Sequence, residues 1–180
     1  MVNIDEKLTC SFIGCPNKIV YDRVLKNQLI KVIGNLIEKG VTRFLFGSRN
    51  QFSDMCYELV TKFKQVYPNI IRVACPCNSE IFYLESERKE AERSLYLSFN
   101  NNITLQGFDA KLSNNADDYS FFKRNEEMIN LSDYCVFYLR EESASKIEYK
   151  RTSAFSFASK SGAKIAYEYA KNKKLVTILV

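Results

Sequence analysis

Five short apolar runs alternate with segments of helical period, and this alternation constrains the fold more than any other feature of the chain. The runs are Leu8–Gly14 (LTCSFIG), Arg43–Gly47 (RFLFG), Ile70–Cys75 (IIRVAC), Tyr134–Leu139 (YCVFYL) and Leu175–Val180 (LVTILV). They are rich in Val, Ile, Phe and Tyr and mostly continuous, which suits strands covered on both faces rather than one. Between them, Leu25, Leu29, Val32, Leu36 and Ile37 predict a helix, with Gly40 as its stop. Met55, Leu59, Val60, Phe63 and Val66 predict a second that ends before Pro68. Glu80–Phe99 reads as a third, with Glu85 and Lys89 at i,i+4 spacing. Phe121, Phe122, Asn125, Met128 and Ile129 predict a fourth, and Gly162, Ala166, Tyr169 and Ala170 the small-residue face of a fifth.

The resulting order, β-α-β-α-β-α-α-β-α-β, is that of an α/β protein. The expected architecture is a Rossmann-like three-layer fold, with a mainly parallel sheet of about five strands and helices on both faces. No repeat or linker interrupts it, so residues 1–180 are expected to form one domain. The polar stretches Asn100–Asp118 and Arg140–Lys150 read as loops, with a short ordered piece around Ile103–Phe108.

Composition narrows the function. With 180 residues, 46% hydrophobic and 26% charged, the chain has enough apolar material for a core. Met1–Lys7 is polar, and no apolar stretch approaches the roughly 20 residues that cross a bilayer. A cytoplasmic protein with no membrane partner is expected. The net charge of +5 is mild, and basic and acidic residues alternate, as in Glu85–Glu90. Nucleic acid is therefore not expected as a partner. The local exception is Lys160, Lys164, Lys171, Lys173 and Lys174.

Six cysteines and no histidine are present. The missing histidine removes Ser-His-Asp and Cys-His mechanisms and every zinc site that uses imidazole. Cys10, Cys56 and Cys135 lie in apolar runs, where a thiol behaves as a small hydrophobe. Cys15, Cys75 and Cys77 fall near strand ends and could bind a metal or sense an oxidant, but their spacing is no zinc knuckle. Packing is the plainer reading. Neither a metal nor a cofactor is expected.

Ligands of open α/β sheets bind outside the carboxyl ends of the strands. Three loops there suit an anion: Gly14-Cys15-Pro16-Asn17, Gly47-Ser48-Arg49-Asn50 leading to Asp54, and Ser159-Lys160-Ser161-Gly162-Ala163-Lys164. Small residues let backbone N–H groups approach a phosphate, and a helix N-terminus adds a favourable field. None matches GxGxxG or a P-loop. Each also has a plain structural reading: Gly14 as a strand terminator, Gly47-Ser48 as a turn with Ser53 as N-cap, and Ser161-Gly162 as close helix–sheet packing.

The ordered set CSFIG (10–14), GVTRFLFGS (40–48) with Phe52 and Asp54, YPNIIRVACP (67–76), RNEEMINLSDYCVFYL (124–139) and SGAKIAYEYAKNKKLVTIL (161–179) resembles the YpsA-like branch of the SLOG superfamily. That resemblance implies a Rossmann-like fold related to lysine-decarboxylase-like and cytokinin-activating phosphoribohydrolase proteins. It also implies a site for nucleotide-derived ligands, ADP-ribose-type signals among them. Matched by position, the ligand-binding residues would be Gly14, Gly47, Ser48, Asp54, Arg124, Asn125, Ser161, Gly162 and Lys164. Arg124 would offer a phosphate fork and Asn125 both a donor and an acceptor. The sequence departs from the family where Gly14-Cys15-Pro16 replaces Gly-His-Arg or Gly-Tyr-Arg, and where Arg49-Asn50-Gln51 replaces small apolar residues. The phosphoribohydrolase motif PGGxGTxxE is absent.

The expected function is the binding of a nucleotide-derived, phosphate-bearing small molecule by a sensor, carrier or sequestering protein. The alternative is a hydrolase or transferase acting on a nucleotide N-glycosidic bond. Such an enzyme would need a positioned carboxylate, for which Asp54 is the first candidate and Glu58 and Glu168 are the others. Homo-oligomerisation is open.

Overall fold

The computed structural model describes residues 8–15, 23–47, 50–75, 108–111, 121–139, 162–173 and 175–180. The expected helix at Glu80–Phe99, the insertion at Arg140–Lys150, most of Asn100–Asp118, and residues Ser48, Cys77 and Ser161 lie outside them.

The elements run β1 (Leu8–Gly14), α1 (Arg23–Glu38), β2 (Val41–Phe46), α2 (Gln51–Val66), β3 (Ile71–Ala74), β4 (Ala110–Lys111), α3 (Phe121–Asn130), β5 (Tyr134–Tyr138), α4 (Gly162–Asn172) and β6 (Val176–Leu179). The strands form one sheet in the order β4-β3-β2-β1-β5-β6. Every neighbouring pair is parallel. The α/β, Rossmann-like expectation therefore holds, with the five expected strands and one addition. The addition, β4, falls in a segment read as loop: two residues are too few to show a period in sequence.

Strand alternation divides the core. Cys10, Phe12, Phe44, Phe46 and Val136 face α1 and α2, meeting Leu25, Leu29, Ile33, Phe52, Cys56 and Leu59. Phe12 stacks on Phe44 and Phe46, with ring centroids 5.9 and 5.3 Å apart. Ile13, Leu45, Val73, Cys135 and Phe137 point the other way, toward Met128 and Ile129 of α3 and Ala163, Ala166 and Ala170 of α4. Small residues along α4 bring that helix close to the sheet. The chain thus winds outward from β1 in both directions, one helix layer per direction, as right-handed crossovers require.

Helix boundaries follow local chemistry. Gly40 takes φ 93° just past α1, a left-handed conformation that glycine adopts without strain. The stripe of α1 buries Ile33 where Val32 was expected, and that of α2 starts at Phe52 and leaves Val66 exposed. The first turn of α2 reaches the sheet, while its last residue lies past it.

The added strand is held by charge. Asp109 accepts from the Arg72 backbone N–H (2.8 Å) and from Arg72 Nε (3.0 Å) and Nη2 (3.2 Å). Lys64 Nζ lies 2.7 Å from the same carboxylate. Arg72 also donates to Tyr57 and Thr61, and Phe108 packs against Tyr57 at 4.7 Å between ring centroids. Hydrogen bonds from Arg72 and Lys64 outweigh desolvation and hold the Asp109 carboxyl far below the usual carboxylate range.

Candidate functional site

All strands point the same way, so the residues after β1, β2 and β3 share one edge. The N-termini of α3 and α4, the helices that lead back down into β5 and β6, lie on that side too. Gly14, Gly47, Cys75, Arg124, Asn125 and Gly162 are thus brought to the carboxyl edge. Side-chain parity then separates them into two groups.

On the α1/α2 face stands Gly14. A Cβ there would lie 2.8 Å from Phe52 Cγ and still closer to Cδ1. Phe52 is fully buried and stacks on Tyr138 at 5.5 Å. Gly14 is small because a phenylalanine ring occupies the space above it. The Gly14 carbonyl accepts from Asn50 Nδ2 at 3.4 Å, and Asn50 Oδ1 accepts from Ser53 N at 2.9 Å. Asn50 is therefore the N-cap of α2, and Ser53 is a buried first-turn residue. Asp54 follows Ser53 in the same turn. Its backbone N–H bonds to the Asn50 carbonyl, and its side chain is exposed on α2.

On the α3/α4 face the arrangement is denser in chemistry. Arg124 is 3% exposed, against the ordinary expectation of a surface arginine. A Cβ on Gly47 would stand 3.0 Å from Arg124 Nε and 3.1 Å from Met128 Sδ. Glycine after β2 therefore makes room for the guanidinium. Arg124 donates to Asn125 Oδ1 from Nε (3.4 Å) and Nη2 (3.2 Å), and its Cζ lies 5.3 Å from the centre of the Phe121 ring. Asn125 is itself buried. The thiol of Cys75, at the end of β3, is pushed up to about 12 by burial, with Glu127 adding to the rise and Arg124 opposing it. Gly162 opens α4 with the Phe122 ring 3.8 Å from where its Cβ would be. Lys164, two residues on, is exposed.

The foot of α3 is fixed by a polar cluster: Ser11 Oγ and Ser132 Oγ both donate to the Met128 carbonyl, at 3.1 and 2.7 Å, and contact each other. At the amino end, Asp133 accepts from Thr9 N at 2.8 Å. Helix α3 is thereby held in register with β1, and Arg124 is set at the opposite end.

The structure gathers Gly47, Arg124, Asn125 and Gly162 in one region and puts Gly14 and Asp54 on the other face. Phe52 and Asn50 were the residues that sequence reasoning did not assign. Asn directly before a helical stripe, three residues ahead of Ser53, was the available signal for the cap. The carboxylates of Asp54, Glu58 and Glu168 are all exposed. The five described cysteines are buried, and among the described residues no three His, Cys, Asp or Glu side chains cluster as a metal site would require. Among the described residues no helix is long and apolar enough to cross a membrane. Compared with protein-family models and with curated proteins, the chain has no significant match.

Proposed function

We propose that this chain binds a nucleotide-derived, phosphate-bearing small molecule at the carboxyl edge of its sheet, on the face covered by α3 and α4. The observation that carries the reading is the burial of Arg124 against Gly47 at that edge. The planar guanidinium fork matches the geometry of a phosphate. The resemblance to the YpsA-like SLOG branch supports the same ligand class, ADP-ribose included. In this reading the protein acts in the cytoplasm as a sensor, carrier or sequestering module. Glycosidic cleavage is less well supported. It would need a carboxylate at the anomeric carbon, and Asp54 belongs to the helix layer on the opposite face.

Titration calorimetry with ADP-ribose, nucleoside monophosphates and nucleotide sugars tests the proposal. Arg124→Ala should weaken a phosphate ligand by about 1.5–3 kcal/mol. Arg124→Lys, which keeps the charge without the fork, should fall between the two. Unchanged affinity in a folded Arg124→Ala protein removes Arg124 from the site, and no binding by any of these ligands refutes the reading. Steady release of free base that disappears in Asp54→Asn would make the chain a glycosidic hydrolase instead.

A further inference from the structure

Helix α3 buries Arg124, Asn125, Met128 and Ile129 against the sheet. Phe121 stands one turn before Arg124 and Asn125 on that stripe, and Phe122 one turn before Asn125. Both therefore belong to the core-facing side of an amphipathic helix, which is ordinarily covered. Yet Phe121 is 47% and Phe122 48% exposed. Both rings lie in the first turn of α3, at the carboxyl edge of the sheet, so the apolar side of the helix continues past its buried residues. The two rings also adjoin the polar part of that edge. The Arg124 guanidinium lies 5.3 Å from the Phe121 ring centre, and the Phe122 ring lies 3.8 Å from where a Cβ on Gly162 would stand.

From this juxtaposition we propose that Phe121 and Phe122 form the stacking platform for the aromatic base of the ligand, while Arg124 takes its phosphate. The inference rests on the phosphate-binding reading above and adds the requirement for a planar heterocycle. A flat π-surface beside a cationic fork matches a molecule carrying a base at one end and a phosphate at the other. Stacking tolerates any base, so the platform selects nucleotides over sugar phosphates without choosing among nucleotides.

The test compares AMP with ribose 5-phosphate, which carries the same phosphate and sugar without the base. Wild-type protein should bind AMP about tenfold more tightly. In Phe121→Leu/Phe122→Leu, which keeps apolar bulk but loses the rings, the ratio of the two affinities should fall toward one. The chain contains no tryptophan, so Phe122→Trp provides a second readout if the double variant does not fold. AMP should quench its emission, and ribose 5-phosphate should not. Equal affinity of wild type for the two probes, a ratio unchanged in the leucine variant, or no quenching by bound AMP overturns the platform and leaves the phosphate site standing. Failure of wild type to bind either probe overturns the platform, and the phosphate reading falls with it if ADP-ribose and nucleotide sugars also fail to bind.

Discussion

At the scale of single residues, the chain's glycines and cysteines serve packing more than their positions in sequence suggest. Gly14 makes room for Phe52. Adding a methyl group there must displace a fully buried ring that also stacks on Tyr138. Gly14→Ala should lower stability by about 1–3 kcal/mol, read as a lower urea midpoint at unchanged slope. Gly47→Ala meets the Arg124 side chain instead, and should reduce ligand affinity more than stability. Burial pushes the Cys10 and Cys56 thiols well above their ordinary range, and those of Cys75 and Cys135 up to about 12. All four should stay unlabelled by a thiol reagent at pH 8 until the protein unfolds, since the thiolate is the reactive form. Mass spectrometry of the modified peptides checks this. Burial of Cys10, Cys56 and Cys135 was legible from their apolar runs. Burial of Arg124 was not, because charge alone argues for the surface and only the position of α3 over Gly47 reverses it.

At the scale of elements, the strands and helices with five or more patterned residues were readable. β1 has the bounds expected from LTCSFIG, and the stop at Gly40 is where the helical stripe ended. Two features escaped. The N-cap of α2 is Asn50 rather than Ser53, because an acceptor one turn earlier fits the free N–H groups. β4 escaped because its partner is chosen by Asp109 and Phe108, which are adjacent to it, and by Arg72 and Lys64, which are distant in sequence. The Asp109 carboxyl is depressed in the folded chain, so its contribution is complete above the unfolded value of about 3.9 and is lost as pH falls through and below it. Solvent screens much of this, and exposed pairs contribute about 0.2–1 kcal/mol. Asp109→Asn should therefore lower the urea midpoint slightly at pH 7, and the gap to wild type should narrow between about pH 4 and pH 2.

At the scale of the whole molecule, β1 is the hub: it pairs with β2 and β5, and both helix layers pack on it. Among the described strands β6 has a single neighbour, and Val176 and Leu179 are 52% and 56% exposed. Amide hydrogen exchange should be slowest in β1, β2 and β5 and fastest, among the strands, in β4 and β6. Protection of β6 equal to that of β1 would mean that this edge is covered in solution, as it would be in a homo-oligomer. At the opposite edge of the described sheet stands β4, two residues long. β3 and β4, neighbours in the sheet, are tied together by Arg72, Asp109 and Lys64. A strand of two residues is thus kept on this edge by side-chain charge, so salt and pH act on the outline of the sheet before they act on its centre.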